Sequence, residues 1–152
     1  MLFRSVGDGI SGGLGNMEAP NFAVKMASSI AMHQGRQRVL CETGGGAGWQ
    51  MTLYDFKRMC DWLFGLGVNF LNPHHTLPST RGLRKRDFPP SHFWQEPWWG
   101  FYPEFSKYVS RACWLLSQGE RLSETAVLIP SSAFKALGRG RGSRNREIQQ
   151  LS

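Results

Sequence analysis

The stretch 38–49 constrains the fold more than any other part of the chain. A short apolar run from Val39 to Cys41 ends in Glu42, and glycines then carry the backbone to Trp49. Consecutive apolar residues are typical of a strand buried in a parallel sheet. Glu42 is therefore expected at the carboxyl-terminal end of that strand, where α/β folds hold their catalytic groups, and the glycines should leave room for a ligand beside it. The alternative is a solvated glutamate before a flexible loop.

Helices and strands are expected in alternation around this stretch. In chain order they are a helix over 20–34, a strand over 39–42, a helix over 52–64, a strand over 68–72, a helix over 103–119 and a strand over 125–129. Thr52 followed by Asp55 predicts a capping box at the start of the second helix. Alternation with short links is typical of βα units on a parallel sheet, so the fold class is α/β.

Four segments fall outside this alternation or follow it. Residues 1–15 are rich in glycine and show no period, which predicts a loop, disordered or artefactual, and 131–152 form a basic tail that is predicted to be disordered. Residues 76–100 form a long connection rich in Pro, Arg and Trp, which is typical of a functional loop or a lid. Residues 120–130 are expected to begin a following domain.

Charge and cysteine content exclude several classes of protein. The net charge is +7, but the segment from Lys135 onwards carries five basic residues and one acid, which leaves +3 for the first 134 residues. Because no aromatic residues interleave with the basic tail, a nucleic-acid-binding protein ranks last among the interpretations.

No run is long enough to span a membrane, and no signal-peptide core is present. The three cysteines are widely spaced, which predicts buried free thiols.

Polar and aromatic side chains gather after the predicted strands. They form four groups: Glu42 with Trp49; Asn72, His74 and His75; Arg81, Arg84, Lys85, Arg86 and Asp87; and Trp94, Glu96, Trp98 and Trp99. Because loops that follow parallel strands converge on one face, these groups could share a single cleft. Carboxylate, imidazole and guanidinium groups bind hydroxyls, and indole covers the apolar face of a sugar ring, so the combination suits a polyhydroxylated ligand.

Each group also has a structural interpretation. Adjacent histidines rarely point the same way and no third ligand has matching spacing, so we expect no metal at His74 and His75. The basic cluster 81–86 could bind phosphate or be a solvated loop with ion pairs, and the tryptophans could pack under a lid or stack on a ligand. The glycines are not a phosphate loop, since no Lys-Ser/Thr pair follows them.

Three runs, 38–49, 66–75 and 81–91, carry a resemblance to a known family. Together they resemble the last third of the (β/α)₈ barrel of glycoside hydrolases, in the broad group of β-galactosidases, β-glucuronidases and large α-L-rhamnosidase-type enzymes. The resemblance covers about 16–130 and implies a truncated, partial TIM barrel. In it 39–42 would be strand seven, 52–64 helix seven and 68–72 strand eight, with flanking helices six and eight.

The resemblance also implies a site. Glu42 would be catalytic, as the nucleophile of a retaining enzyme or as one of the acid/base pair of an inverting one. The sugar-binding residues would be Trp49, Asn72, His74, His75, Arg81 and Trp98. No cofactor is expected, and the partners would be a carbohydrate substrate and the missing amino-terminal part of the barrel, not nucleic acid or a membrane.

Glycoside hydrolysis needs two carboxylates, and the resemblance places the second on strand four, outside this chain. The isolated chain is therefore expected to be inactive and, with unpaired strand edges, marginally stable or prone to aggregate. The alternative function is a non-catalytic carbohydrate-binding or structural fragment.

Overall fold

The computed structural model of the chain describes residues 2–6, 18–83 and 89–128. The chain divides after Gly119 into two compact units. The first contains β1 (Leu2–Val6), α1 (Glu18–His33), β2 (Leu40–Thr43), α2 (Leu53–Gly65), β3 (Phe70–Pro73), a 3₁₀ helix (Trp99–Phe101) and α3 (Tyr102–Leu115). In the second unit the described residues, 120–128, contain no helix or strand. None of the described helices is long and apolar enough to cross a membrane.

The three strands form one parallel sheet in the order β1-β2-β3. β2 and β3 pair without a shift, so that Glu42 lies opposite Asn72 and Thr43 lies opposite Pro73. Since α2 connects these two parallel neighbours, the predicted βα unit over this part of the chain is confirmed. The barrel to which it would belong stays a prediction.

α2 begins with the capping box that the sequence predicts. The Asp55 amide donates to Thr52 Oγ1 over 3.2 Å, and the Thr52 amide donates to Asp55 Oδ2 over 3.1 Å. These two bonds satisfy amides that would otherwise have no partner at the start of the helix. The inner face of α2 consists of Phe56, Met59, Cys60 and Leu63, and all four side chains are buried.

The core lies on one side of the sheet. Cys41 on β2 belongs to the same buried cluster as the α2 residues, Val24 and Ala31 on α1, and Phe105 on α3. Along β2 and β3 the residues on the other side are not covered: Leu40 and Glu42 are half-buried, and Phe70 and Asn72 are exposed. We call these four residues the open face of the sheet.

Two predicted segments are corrected by the structure. Residues 2–6, expected to belong to a glycine-rich loop, form β1, because they pair with β2. The sequence pattern of these five residues does not indicate this pairing. Residues 125–128, the described part of the strand expected over 125–129, are exposed and pair with no strand among the described residues, so their apolar composition alone does not form one. Residue 1 and residues 7–17, 84–88 and 129–152, which include the predicted tail, lie outside the described residues.

Candidate functional site

The carboxyl-terminal edge of the sheet brings together residues from two predicted groups. Glu42 lies on β2 one residue before its end, as predicted, and is half-buried, while Asn72 lies beside it on β3 and is exposed. Their side chains share the open face. The hydrogen bonding between β2 and β3 continues past the end of β3, because the His74 amide donates to the Thr43 carbonyl over 2.7 Å.

The glycines after β2 are packed against imidazole rings. A Cβ atom at Gly44 would lie 3.4 Å from His92 Nε2, and one at Gly45 would lie 3.2 Å from His74 Cδ2. Gly44 also has φ +80°, a conformation that favours glycine. Histidines therefore occupy the space on the side where a Cβ atom of Gly44 or Gly45 would lie, and room for a ligand beside these glycines stays a prediction.

His74 and His75 extend the same edge after β3. Their rings stack with centroids 4.4 Å apart and planes inclined at 21°, and the peptide bond between them is cis. Burial and the neighbouring His74 lower the pKa of His75. Among the residues that the structure describes, no group of three His, Cys, Asp or Glu side chains could hold a metal ion.

His92 is the site residue that sequence reasoning missed. It is 2% exposed, and its amide donates to the His75 carbonyl over 3.0 Å. Neither Nδ1 nor Nε2 of its ring has a hydrogen-bond partner. Burial, and then His75 and His74, lower its pKa to about 4, so its imidazole is neutral at pH 7. A single histidine in a Pro-rich loop gives no periodic signal that could have pointed to it.

The segment 89–98, which we call the strap, crosses from one strand end to the other. At one end His92 binds His75, after β3, and at the other Trp98 Nε1 donates to the Met51 carbonyl, after β2, over 3.2 Å. Gln95 Nε2 fastens the middle to the Leu77 carbonyl over 2.6 Å. Within the long connection that the sequence predicts as a functional loop or lid, the strap therefore lies against the candidate site.

The tryptophans of the strap region contact protein more than solvent, with one exception. Trp98 stacks on Tyr102 with centroids 5.9 Å apart, and Trp99 stacks on the same ring at 5.2 Å. Trp94 is 60% exposed. The packing interpretation therefore fits Trp98 and Trp99 as the structure stands, and a sugar-binding role for Trp98 stays a prediction.

The remaining predicted residues are placed as follows. Arg81 is exposed and its amide donates to Ser79 Oγ over 3.2 Å, with no described contact to the strand edge. Trp49 is half-buried in the turn after β2. Glu96 is 6% exposed, and burial raises the pKa of its carboxyl. Arg84, Lys85, Arg86 and Asp87 lie outside the described residues.

Taken together, the edge unites Glu42, Asn72, His74 and His75, with His92 behind them. No protein-family model, curated protein or solved structure matches this chain.

Proposed function

We propose that this chain carries one catalytic carboxylate, Glu42, of a glycoside hydrolase. The observation that supports the proposal is the pairing of Glu42 with Asn72 at the carboxyl-terminal edge of two adjacent parallel strands. Both side chains lie on the open face, where a second carboxylate from another strand end could reach the same substrate. Catalytic groups of parallel α/β folds occur at this edge.

The chemistry divides between the two residues. Glycoside cleavage needs a pair of carboxyl groups about 5–5.5 Å apart for retention of configuration, or about 6.5–9.5 Å apart for inversion. Glu42 would serve as the nucleophile in the first case and as an acid or base in the second. The neighbouring Asn72 amide, which can both donate and accept hydrogen bonds, would bind a sugar hydroxyl.

The other predicted residues would shape the sugar site around this pair. His74 is held against Gly45 and stacks on His75, which fixes two imidazoles next to the strand edge. Trp49 and Trp98 would offer indole surface, and this role requires Trp98 to expose a face beyond the one that stacks on Tyr102.

The test is the hydrolysis of aryl glycosides by the product of the complete open reading frame. Glu42→Gln keeps the shape of the side chain and removes its charge, so we expect turnover to fall by about 10³-fold or more. Glu120→Gln, at an exposed position in the second unit, is the matched control and should leave turnover unchanged. Turnover by Glu42→Gln equal to that of the wild type would remove Glu42 from the mechanism.

Sugar binding without hydrolysis would favour the alternative, a non-catalytic carbohydrate-binding protein. Ligand-observed NMR with the same glycosides distinguishes the two functions, because it reports contact with the protein independently of turnover. In that case Asn72→Ala should weaken binding, and the complete open reading frame should lack a second carboxylate at the corresponding strand end.

A further inference from the structure

The strap is fastened just beyond each of the two strands that form the candidate site. The His92 amide binds the His75 carbonyl over 3.0 Å, two residues after β3. Trp98 Nε1 binds the Met51 carbonyl over 3.2 Å, at the end of the turn that follows β2. The strap therefore joins the two loops on which the candidate site depends.

The His92 ring is sealed between these two fastenings. Its centroid lies 4.6 Å from that of Phe56 on α2, 5.8 Å from that of Trp98 and 6.0 Å from that of Tyr102 on α3. Gly44 lies on a further side of the ring, where a Cβ atom would be 3.4 Å from His92 Nε2. Because Nδ1 and Nε2 both lack a partner, a proton added to either nitrogen would meet no acceptor, and a buried charge without a partner is strongly unfavourable.

The groups around the ring make that charge less favourable still. The segment after β3 contributes His75 and His74, whose positive forms repel a positive His92. α3 presents the Tyr102 phenol, which is uncharged at these pH values and whose pKa burial raises further, and α2 presents the uncharged ring of Phe56. Protonation of His92 is therefore opposed by burial and by its two electrostatic neighbours.

We propose that the strap is released by acid: protonation of His92 frees residues 89–98 from the ends of β2 and β3 and exposes the strand edge. The released ring reaches water, where its charge is solvated, while the core around α2 remains folded. The proposal does not require Glu42 to be catalytic, so it can fail or succeed independently of the proposed function.

The direction of the pH dependence follows from the lowered pKa of His92. Burial, and then His75 and His74, lower that pKa from 6.5 to about 4, so the closed strap favours the neutral ring. The closed state is fully favoured above pH 6.5 and loses this advantage as the pH falls through 6.5 towards 4. Between pH 7.5 and pH 5, His92 alone should shift the equilibrium between closed and open strap by about 30-fold towards the open form, while protonation of Glu96, whose pKa is raised by burial in the same strap, acts in the opposite direction.

Amide hydrogen exchange followed by NMR tests the proposal on the 152-residue chain. The protection factor of the residue-92 amide should fall, by up to about 30-fold, between pH 7.5 and pH 5, while the amides inside α2 keep theirs. His92→Phe keeps a ring and removes the titration of residue 92, so the fall in protection that His92 causes should be absent from this variant. His33→Phe makes the same substitution at an exposed histidine and should behave as the wild type.

Three results would overturn the proposal. The first is a residue-92 amide that stays protected at pH 5 in the wild type. The second is a fall in protection that includes α2, because acid would then unfold the whole unit. The third applies if His92→Phe does not fold: in the wild type, a His92 imidazole ¹³C shift that titrates at 6.5 while the strap stays protected would show that the buried ring accepts a proton without release.

Discussion

At the residue scale, Asn69 joins three segments at the end of the sheet opposite the candidate site. Its Oδ1 accepts from the Val39 amide over 2.8 Å, and its Nδ2 donates to the Gln37 carbonyl over 2.7 Å and to the Leu116 carbonyl over 3.2 Å. The side chain is 7% exposed, so hydrogen bonds to water could not readily replace these three bonds. From the sequence, Asn69 is only a polar residue in the second predicted strand.

Asn69→Ala is therefore expected to destabilise the chain by about 3 kcal/mol, because each lost hydrogen bond contributes about 1 kcal/mol and the Val39 amide is left buried without its partner. Urea denaturation followed by circular dichroism measures the change. Asn72→Ala removes the same side chain from an exposed position three residues later and should cost less than about 0.5 kcal/mol. Equal losses in the two variants would contradict the structural role of Asn69.

At the element scale, α2 and the turn after β2 show which contacts can be predicted from local sequence patterns and which cannot. The capping box of α2 is readable from Thr52 and Asp55, since it depends on residues three apart. The packing of Gly45 against His74 is not readable, because it joins positions almost thirty residues apart through the pairing of β2 with β3. The sequence places the glycines correctly but does not indicate the histidines beside them.

Gly45→Ala tests this packing. A Cβ at that position would lie 3.2 Å from His74 Cδ2, so the ring must shift, and we expect a loss of about 1 kcal/mol together with displaced His74 imidazole NMR signals. Gly100→Ala is the control, because nothing lies within 4 Å of its added Cβ. It should be neutral or stabilising by up to about 1 kcal/mol, through the reduced entropy of the unfolded chain. Unmoved His74 signals in Gly45→Ala would refute the contact.

At the scale of the whole molecule, the open face leaves apolar surface beside polar surface. Phe70 is 51% exposed and lies opposite Leu40 in the strand register, while Glu42 and Asn72 occupy the other end of the same face. Exposed apolar area on a sheet promotes association between molecules. The open face is therefore the surface through which the isolated chain is expected to aggregate.

Phe70→Ser should therefore reduce self-association of the chain, seen by sedimentation velocity across a range of concentrations, with little loss of stability because the side chain is half exposed. Phe101→Ser removes a phenylalanine that is 71% exposed in the 3₁₀ helix and lies outside the open face. It should leave association unchanged. Association that responds equally to both substitutions would show that the open face has no special part in it.

The sequence by itself determined the features that depend on near neighbours: the helices around Phe56 and Phe105, the cap at Thr52, and Glu42 at the end of a strand. These follow from periodicity and from hydrogen bonds within a few residues. Only the tertiary structure decided that β1 exists and that His92 and Trp98 fasten the strap to the segments after β3 and β2. Both depend on contacts between distant residues, whose partners no local pattern specifies.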